Sequence, residues 1–207
     1  LMENSSFDEL MSIKRLATAA VPLKDVKILA PIPEPKHDII CLGINYESHD
    51  SELPHSFDKE KIKEREVPVY FAKRVNRAVE PNGYIDGHFD VVKKLDYECE
   101  LAVIIGKEAK NVAEKDVLDY IFGYTIINDV SARDVQTAHK QWYFGKSLDT
   151  FAPMGPCIVT ADEFGFPPAL KISCKVNGEL RQDSNTNKLV HSIPYIISEL
   201  SHGITLK

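Results

Sequence analysis

Little in this sequence departs from an ordinary folded chain, and each scarcity argues against something. Cysteine is scarce. There are four in 207 residues and no CxxC pair, which argues against a disulfide scaffold or a cysteine-built metal site. Cys41, Cys99, Cys157 and Cys174 lie in apolar or strand-like runs. They read as buried free thiols of a reducing compartment, so a cytoplasmic location is expected. Long apolar runs are lacking. Stretches such as Leu101 to Ile105 fall far short of the roughly 20 residues a membrane-spanning helix needs, and no membrane partner is expected. A dominant charge sign is lacking too. The 25 Lys and Arg face 31 Asp and Glu, a net charge of −6 with no like-charged tails. A nucleic-acid partner is therefore not expected, and a small molecule fits better. The opening Leu1-Met2-Glu3 starts no basic-then-apolar leader, so no secretory signal is expected.

What is present is an ordinary apolar fraction, 43%, enough for a core in one domain or one domain with a small appendage. Residues 1–35 read as a small N-terminal segment. It holds a helix-like stretch from Phe7 to Ala20, with Ser6 as cap and Glu9 three residues on. A connector follows, Pro31-Ile32-Pro33-Glu34-Pro35, whose three prolines exclude helix and central strand. Residues 36–207 read as the main domain. Asp38 to Gly43 reads as a buried strand ending in a glycine turn. Leu101 to Ile105, Tyr120 to Ile127, Gly155 to Thr160 and Leu170 to Val176 read as further strands, the last closed by an Asn177-Gly178 hairpin turn. Helices are expected at Val135 to Trp142, with Ser131-Ala-Arg-Asp134 as a capping-box-like start, and at Ile193 to Ser201. The charged stretch 56–67 reads as a solvated helix or mobile loop, with a lid as the alternative. The fold class is α+β, dominated by β. The chain closes on Ile204 to Lys207 directly after a strand-like pattern, and the domain is expected to continue past it.

The chemistry concentrates in Asp96-Tyr97-Glu98-Cys99-Glu100, followed by Leu101 to Ile105. On a strand Glu98 and Glu100 point the same way. Ala102 and Ile104 share that face, so two carboxylates sit at the end of a strand that is apolar on both sides. A divalent cation would neutralise them; the alternative is a solvated strand end. Asp129 closes another apolar run and could reach the same ion, or serve only as a turn residue. Three carboxylates with open positions suit Mg²⁺ or Mn²⁺. His49 and Glu52, spaced i, i+3, could form a general base with its orienting carboxylate, a metal ligand pair or a surface ion pair. Lys146 could stabilise negative charge developing on a keto acid, or be a solvated surface charge. Arg133 and Gln136 share a helix face and could bind a carboxylate or carbonyl, or lie exposed. His37, His55, His88, His139, His191 and His202 show no ligand spacing.

At these residues the sequence resembles the fumarylacetoacetate hydrolase family. The resemblance rests on five segments in order: Gly43-x-Asn45-Tyr46-x-x-His49-x-x-Glu52; Asp96-Tyr97-Glu98-x-Glu100-Leu101-Ala102-Val103-Ile104-Ile105-Gly106; Asn128-Asp129-Val130-Ser131-Ala132-Arg133-Asp134-x-Gln136; Gly145-Lys146-Ser147-x-Asp149-Thr150-Phe151-x-Pro153-x-Gly155-Pro156; and Val176-Asn177-Gly178-Glu179. It implies a mixed β-sheet roll with few helices that usually dimerises, so a homodimer is expected. It implies Mg²⁺ or Mn²⁺ on Glu98, Glu100 and Asp129, with Ca²⁺ as a substitute in crystals. It implies His49 and Glu52 as the base dyad, with Lys146, Arg133 and Gln136 on a 2-oxo acid substrate. The HxxE spacing is similar to that of the smaller members: acylpyruvate hydrolases, oxaloacetate decarboxylases and 2-hydroxyhepta-2,4-diene-1,7-dioate isomerases. The family's Pro-Gly-Asp strand and Thr-Gly-Thr-Pro loop would follow Thr205-Leu206 and do not occur in these 207 residues, so the expectation is either a longer natural chain or an inactive form. The expected activity is C–C hydrolysis of acylpyruvate-type or fumarylpyruvate-type acids. Isomerisation or decarboxylation is the alternative, and a non-catalytic, metal-stapled binding protein is the alternative of another class.

Overall fold

The computed structural model describes residues 21–46 and 67–207. The stretch Phe7 to Ala20 with Ser6, the His49–Glu52 pair and residues 56–66 of the charged stretch lie outside the described residues. Among the described residues nine strands are present: β1 Ile39–Gly43, β2 Val69–Lys73, β3 Leu95–Asp96, β4 Cys99–Ile105, β5 Ile121–Asn128, β6 Ser131–Ala132, β7 Val159–Thr160, β8 Lys171–Val176 and β9 Glu179–Asn185. Three α-helices accompany them among the same residues: α1 Arg133–Ala138, α2 Tyr143–Lys146 and α3 Ile193–Gly203. The molecule is β-rich with few helices. Its ladders β1–β2, β3–β6, β4–β5–β7 and β8–β9 are antiparallel. Among the described residues a parallel pairing occurs at the isolated Val79–Pro153 bridge.

The β4–β5 pair organises the core because β4 is apolar on both faces. Leu101, Val103 and Ile105 pack on a cluster of Ala109, Val112, Val117, Ile121, Tyr124, Ala161, Ile193 and Ile197. The alternate residue Ala102 packs on a second cluster that includes Ala30, Val75, Ala78, Ile127 and Met154. The two-residue period of a strand sends these side chains to opposite sides. The proline-rich connector is bent backbone, as its composition requires, and it lies on this second cluster: Ala30 is buried there and Ala78 N–H donates to the Pro33 carbonyl at 2.8 Å. The β8–β9 hairpin turns on Asn177 (φ 53°) and Gly178 (φ 83°), the left-handed pair a two-residue turn demands. Helix α3 opens on Ser192, whose side chain accepts from Tyr195 N–H, and it buries Ile193, Ile196 and Ile197.

Four expectations are corrected. The helix placed at Val135 to Trp142 is shorter and broken: α1 ends at Ala138, and Lys140 takes a left-handed φ of 60°, which no helix continues. Ser131 does not cap it; its hydroxyl donates to the Asp129 carbonyl, while the Asp134 carboxylate accepts from Lys93 and Lys94 N–H. The strand expected from Gly155 is confined to Val159–Thr160, because the segment before it turns at Gly155 (φ 131°). The four thiols are free, but Cys41 alone is fully buried; Cys99 and Cys174 are partly exposed and Cys157, in that turn, is exposed.

Candidate metal and catalytic site

The β4–β5 register pairs Cys99 with Asn128 and Glu100 with Ile127, so the start of β4 lies beside the end of β5. Asp129 N–H donates to the Glu98 carbonyl at 2.8 Å, and Glu98 N–H donates to Asn128 Oδ1 at 3.0 Å. These bonds bring Glu98, Glu100 and Asp129 together: one carboxylate oxygen from each lies within 4.8 Å of the others. Asp129 is 1% exposed and Glu98 9%.

Three cations enclose the cluster. Lys146 arrives from α2, which packs against α1 so closely that a Cβ on Gly145 would stand 2.5 Å from Gln136 N. Its ammonium donates to Asp129 Oδ2 at 2.7 Å and to Glu98 Oε2. Arg133, at the start of α1, bonds Glu98 Oε1 at 2.6 Å and Asp96 Oδ2 at 2.8 Å. It reaches Gln136 Oε1 at 3.2 Å, so the two residues share a face as their spacing predicts. The third cation is Lys73, at the end of β2 and fully buried. Its ammonium donates to the carbonyls of Val130, at 3.0 Å, and Lys146, and lies 2.7 Å from Asp129 Oδ1.

The electrostatics separate the members. Burial and the neighbouring Asp129 and Glu98 push the Glu100 carboxyl up to about 8, since no cation among the described residues pairs with it. Burial works against the charged form of Asp129 as well, but Lys73 and Lys146 outweigh it and hold that carboxyl below its usual range. Burial lowers both lysines. It prevails at Lys73, whereas Asp129 and Glu98 together hold Lys146 above its ordinary value.

The donor set fits a hard divalent cation. Asp129 Oδ1 is buried beside the Lys73 ammonium, and Glu100 has no cation partner among the described residues. Three carboxylate oxygens within 4.8 Å of one another, one of them on a carboxylate with no cation beside it, make the all-oxygen donor set that such an ion takes. The cluster, Lys146, Arg133 and Gln136 line an open cleft of about 1800 Å³. Of the site residues expected from the sequence, Glu98, Glu100, Asp129, Lys146, Arg133 and Gln136 are brought together, and His49 and Glu52 lie outside the described residues. Lys73 and Asp96 were not anticipated as charge partners. The signal for Lys73 was a lysine closing an otherwise apolar strand, Val69-Tyr-Phe-Ala-Lys73, which is indistinguishable from a surface strand end.

The model of the fumarylacetoacetate (FAA) hydrolase C-terminal family matches residues 38–207. The chain belongs to this family. It is 43% identical over 185 residues to the oxaloacetate tautomerase YisK of Bacillus subtilis, covering 89% of this chain and 60% of that protein. Among solved structures it is similar to a 2-hydroxyhepta-2,4-diene-1,7-dioate isomerase from Mycobacterium marinum, with 34% identity, TM-score 0.74, and 92% and 66% of the two chains covered. It is also similar to a fumarylpyruvate hydrolase from Pseudomonas aeruginosa in complex with Mn²⁺ and pyruvate, with 30% identity, TM-score 0.71, and 84% and 75% covered. The chain thus spans about 60% of the length of its Bacillus relative. No helix among the described residues is long and apolar enough to cross a membrane.

Proposed function

We propose that this chain carries the site of a divalent-metal-dependent enzyme acting on 2-oxo acids. The observation that supports it most is the convergence of Glu98, Glu100 and Asp129, with one carboxylate oxygen of each within 4.8 Å of the others. These three would hold Mg²⁺ or Mn²⁺. Bound there, the ion supplies Lewis-acid polarisation of the substrate's 2-oxo group. Arg133, with a third of its side chain exposed, and Gln136 bind the substrate's carboxylate or carbonyl oxygens. Lys146, inside the cluster, offsets negative charge that develops on the substrate. His49, oriented by Glu52, moves the proton.

Two reactions use these roles. In C–C hydrolysis of an acylpyruvate or fumarylpyruvate, His49 takes a proton from the attacking water. In tautomerisation or isomerisation it moves a proton at the carbon beside the keto group, and no water is consumed. The hydrolase with bound Mn²⁺ and pyruvate supports the first; the tautomerase and the isomerase support the second. A turnover panel of acetylpyruvate, fumarylpyruvate and enol-oxaloacetate, with Mg²⁺ or Mn²⁺ and with EDTA, separates them. Chelator-sensitive turnover of at least one substrate, lost in Glu100→Gln and in His49→Ala, is expected. Turnover untouched by EDTA or by either substitution would remove the proposal, and Mn²⁺ binding without turnover would leave a metal-stapled binding protein.

A further inference from the structure

We infer that Trp142 and Gly43 form a matched pair that selects the tail of the 2-oxo acid, favouring a planar conjugated or aromatic one. The inference rests on the 2-oxo acid reading of the site. Trp142 is the chain's sole tryptophan. It stands in the turn between α1 and α2, and its carbonyl accepts from Lys146 N–H at 3.1 Å. Its indole meets the Phe71 ring edge to face, with centroids 5.3 Å apart and planes at 69°. The Phe71 ring in turn lies 5.1 Å from the Lys146 ammonium, which bonds Glu98 and Asp129. Lys146, Phe71 and Trp142 therefore make a continuous wall leading outward from the carboxylates, and all three line the same cleft.

Gly43 explains how the indole comes to stand there. It closes β1 opposite Val69, and its φ is not in the left-handed region, unlike Gly155 and Gly178. Its backbone would therefore accept any residue. Space is what forbids one: a Cβ would lie 2.4 and 2.7 Å from two carbons of the Trp142 six-membered ring. The glycine of the Gly43-x-Asn45-Tyr46 segment is thus accounted for as room for an indole. An acid held at its carboxylate and 2-oxo oxygens by the cluster meets this wall with the rest of its length. Beyond Lys146 the wall is made of two aromatic side chains, Phe71 and Trp142, which suits a flat π-system through offset or edge-to-face contact. It offers nothing to a short acid without a tail.

The test compares oxalate, a head without a tail, with benzoylpyruvate, a head with an aromatic tail. Both are titrated against the Mn²⁺-loaded protein and followed by the Mn²⁺ EPR spectrum, with Trp142 fluorescence as a second readout for the unsubstituted chain. The ratio of benzoylpyruvate to oxalate affinity is expected to fall about tenfold in Trp142→Ala, the order of one lost aromatic contact with its buried area, and to be largely restored in Trp142→Phe. Gly43→Ala, which deletes nothing and only displaces the indole, is expected to lower the same ratio. It carries the test if Trp142→Ala does not fold. An unchanged ratio in Trp142→Ala, or in Gly43→Ala if that is the variant that folds, overturns the inference while leaving the 2-oxo acid reading intact. If oxalate leaves the Mn²⁺ spectrum of the unsubstituted protein unaltered, that reading fails, and the inference falls with it.

Discussion

The two ends of the β4–β5 pair are held by opposite physics. At one end Val103 faces Tyr124 and Ile105 faces Ile121, and the pair packs with Val117, Ile193 and Ile197 in an apolar cluster. At the other end Glu98, Glu100 and Asp129 meet Lys73, Lys146 and Arg133, with Lys73, Lys146 and Asp129 almost wholly buried. Apolar contacts are non-directional, so the first end loses stability in proportion to the volume removed. Buried charges depend on a particular partner, so the second end fails in steps. One ladder therefore joins a graded scaffold to an all-or-none site. Asp129, almost wholly buried, stays ionised because Lys73 and Lys146 are built into the fold beside it.

The largest expected effect tests that contrast directly. Lys73→Met should cost about 3–5 kcal/mol in urea unfolding, the range for stripping one partner from a buried ion pair. Adding Asp129→Leu should recover part of that loss, because both charges are then gone. Strict additivity of the two substitutions would show the charged end behaving like the apolar one. Next in size, Ile197→Ala on α3 should cost about 2–4 kcal/mol and Ile197→Val about 1 kcal/mol. A loss that did not scale with volume would break the description of the apolar end. At the hairpin, Asn177→Ala should cost about 1 kcal/mol, because alanine lacks the tolerance of asparagine for left-handed backbone; a thermal melt reads it. Smallest is Lys171→Ala. It removes an exposed pair with Asp183 at 3.3 Å and should change stability by less than about 0.5 kcal/mol. A larger change there would show that surface charge matters beyond the buried cluster.

Much of this arrangement was legible in the sequence because it depends on short-range periodicity. Strands β4, β5 and β8, the Asn177-Gly178 turn and helix α3 follow from alternation, turn chemistry and capping, each a property of a few adjacent residues. Asp129 was legible from its place at the end of an apolar run and Glu100 from its place in β4, but Glu98 lies in the break between β3 and β4, where its bonds to Asn128 and Asp129 bring it to the cluster. The break at Lys140 was not legible, since residues 133–142 carry no proline or glycine to announce it. Nor was the role of Ser131, whose hydroxyl turns to the Asp129 carbonyl instead of a helix end. The exposure of Cys157 depended on a turn at Gly155 that local hydrophobicity does not report.

Lys73 marks the boundary most clearly. By itself the sequence determined which segments extend and which coil, because side-chain direction repeats every two or every 3.6 residues regardless of the rest of the chain. It could not say that a strand-end lysine would be buried 57 residues away from the Val130 carbonyl it bonds and 73 from that of Lys146. Nor could it say that Glu100 would find no cation among the described residues while Asp129 gained two. Which charges lose their water, and which partner replaces it, is set when distant segments close on one another, and only the tertiary structure decides that.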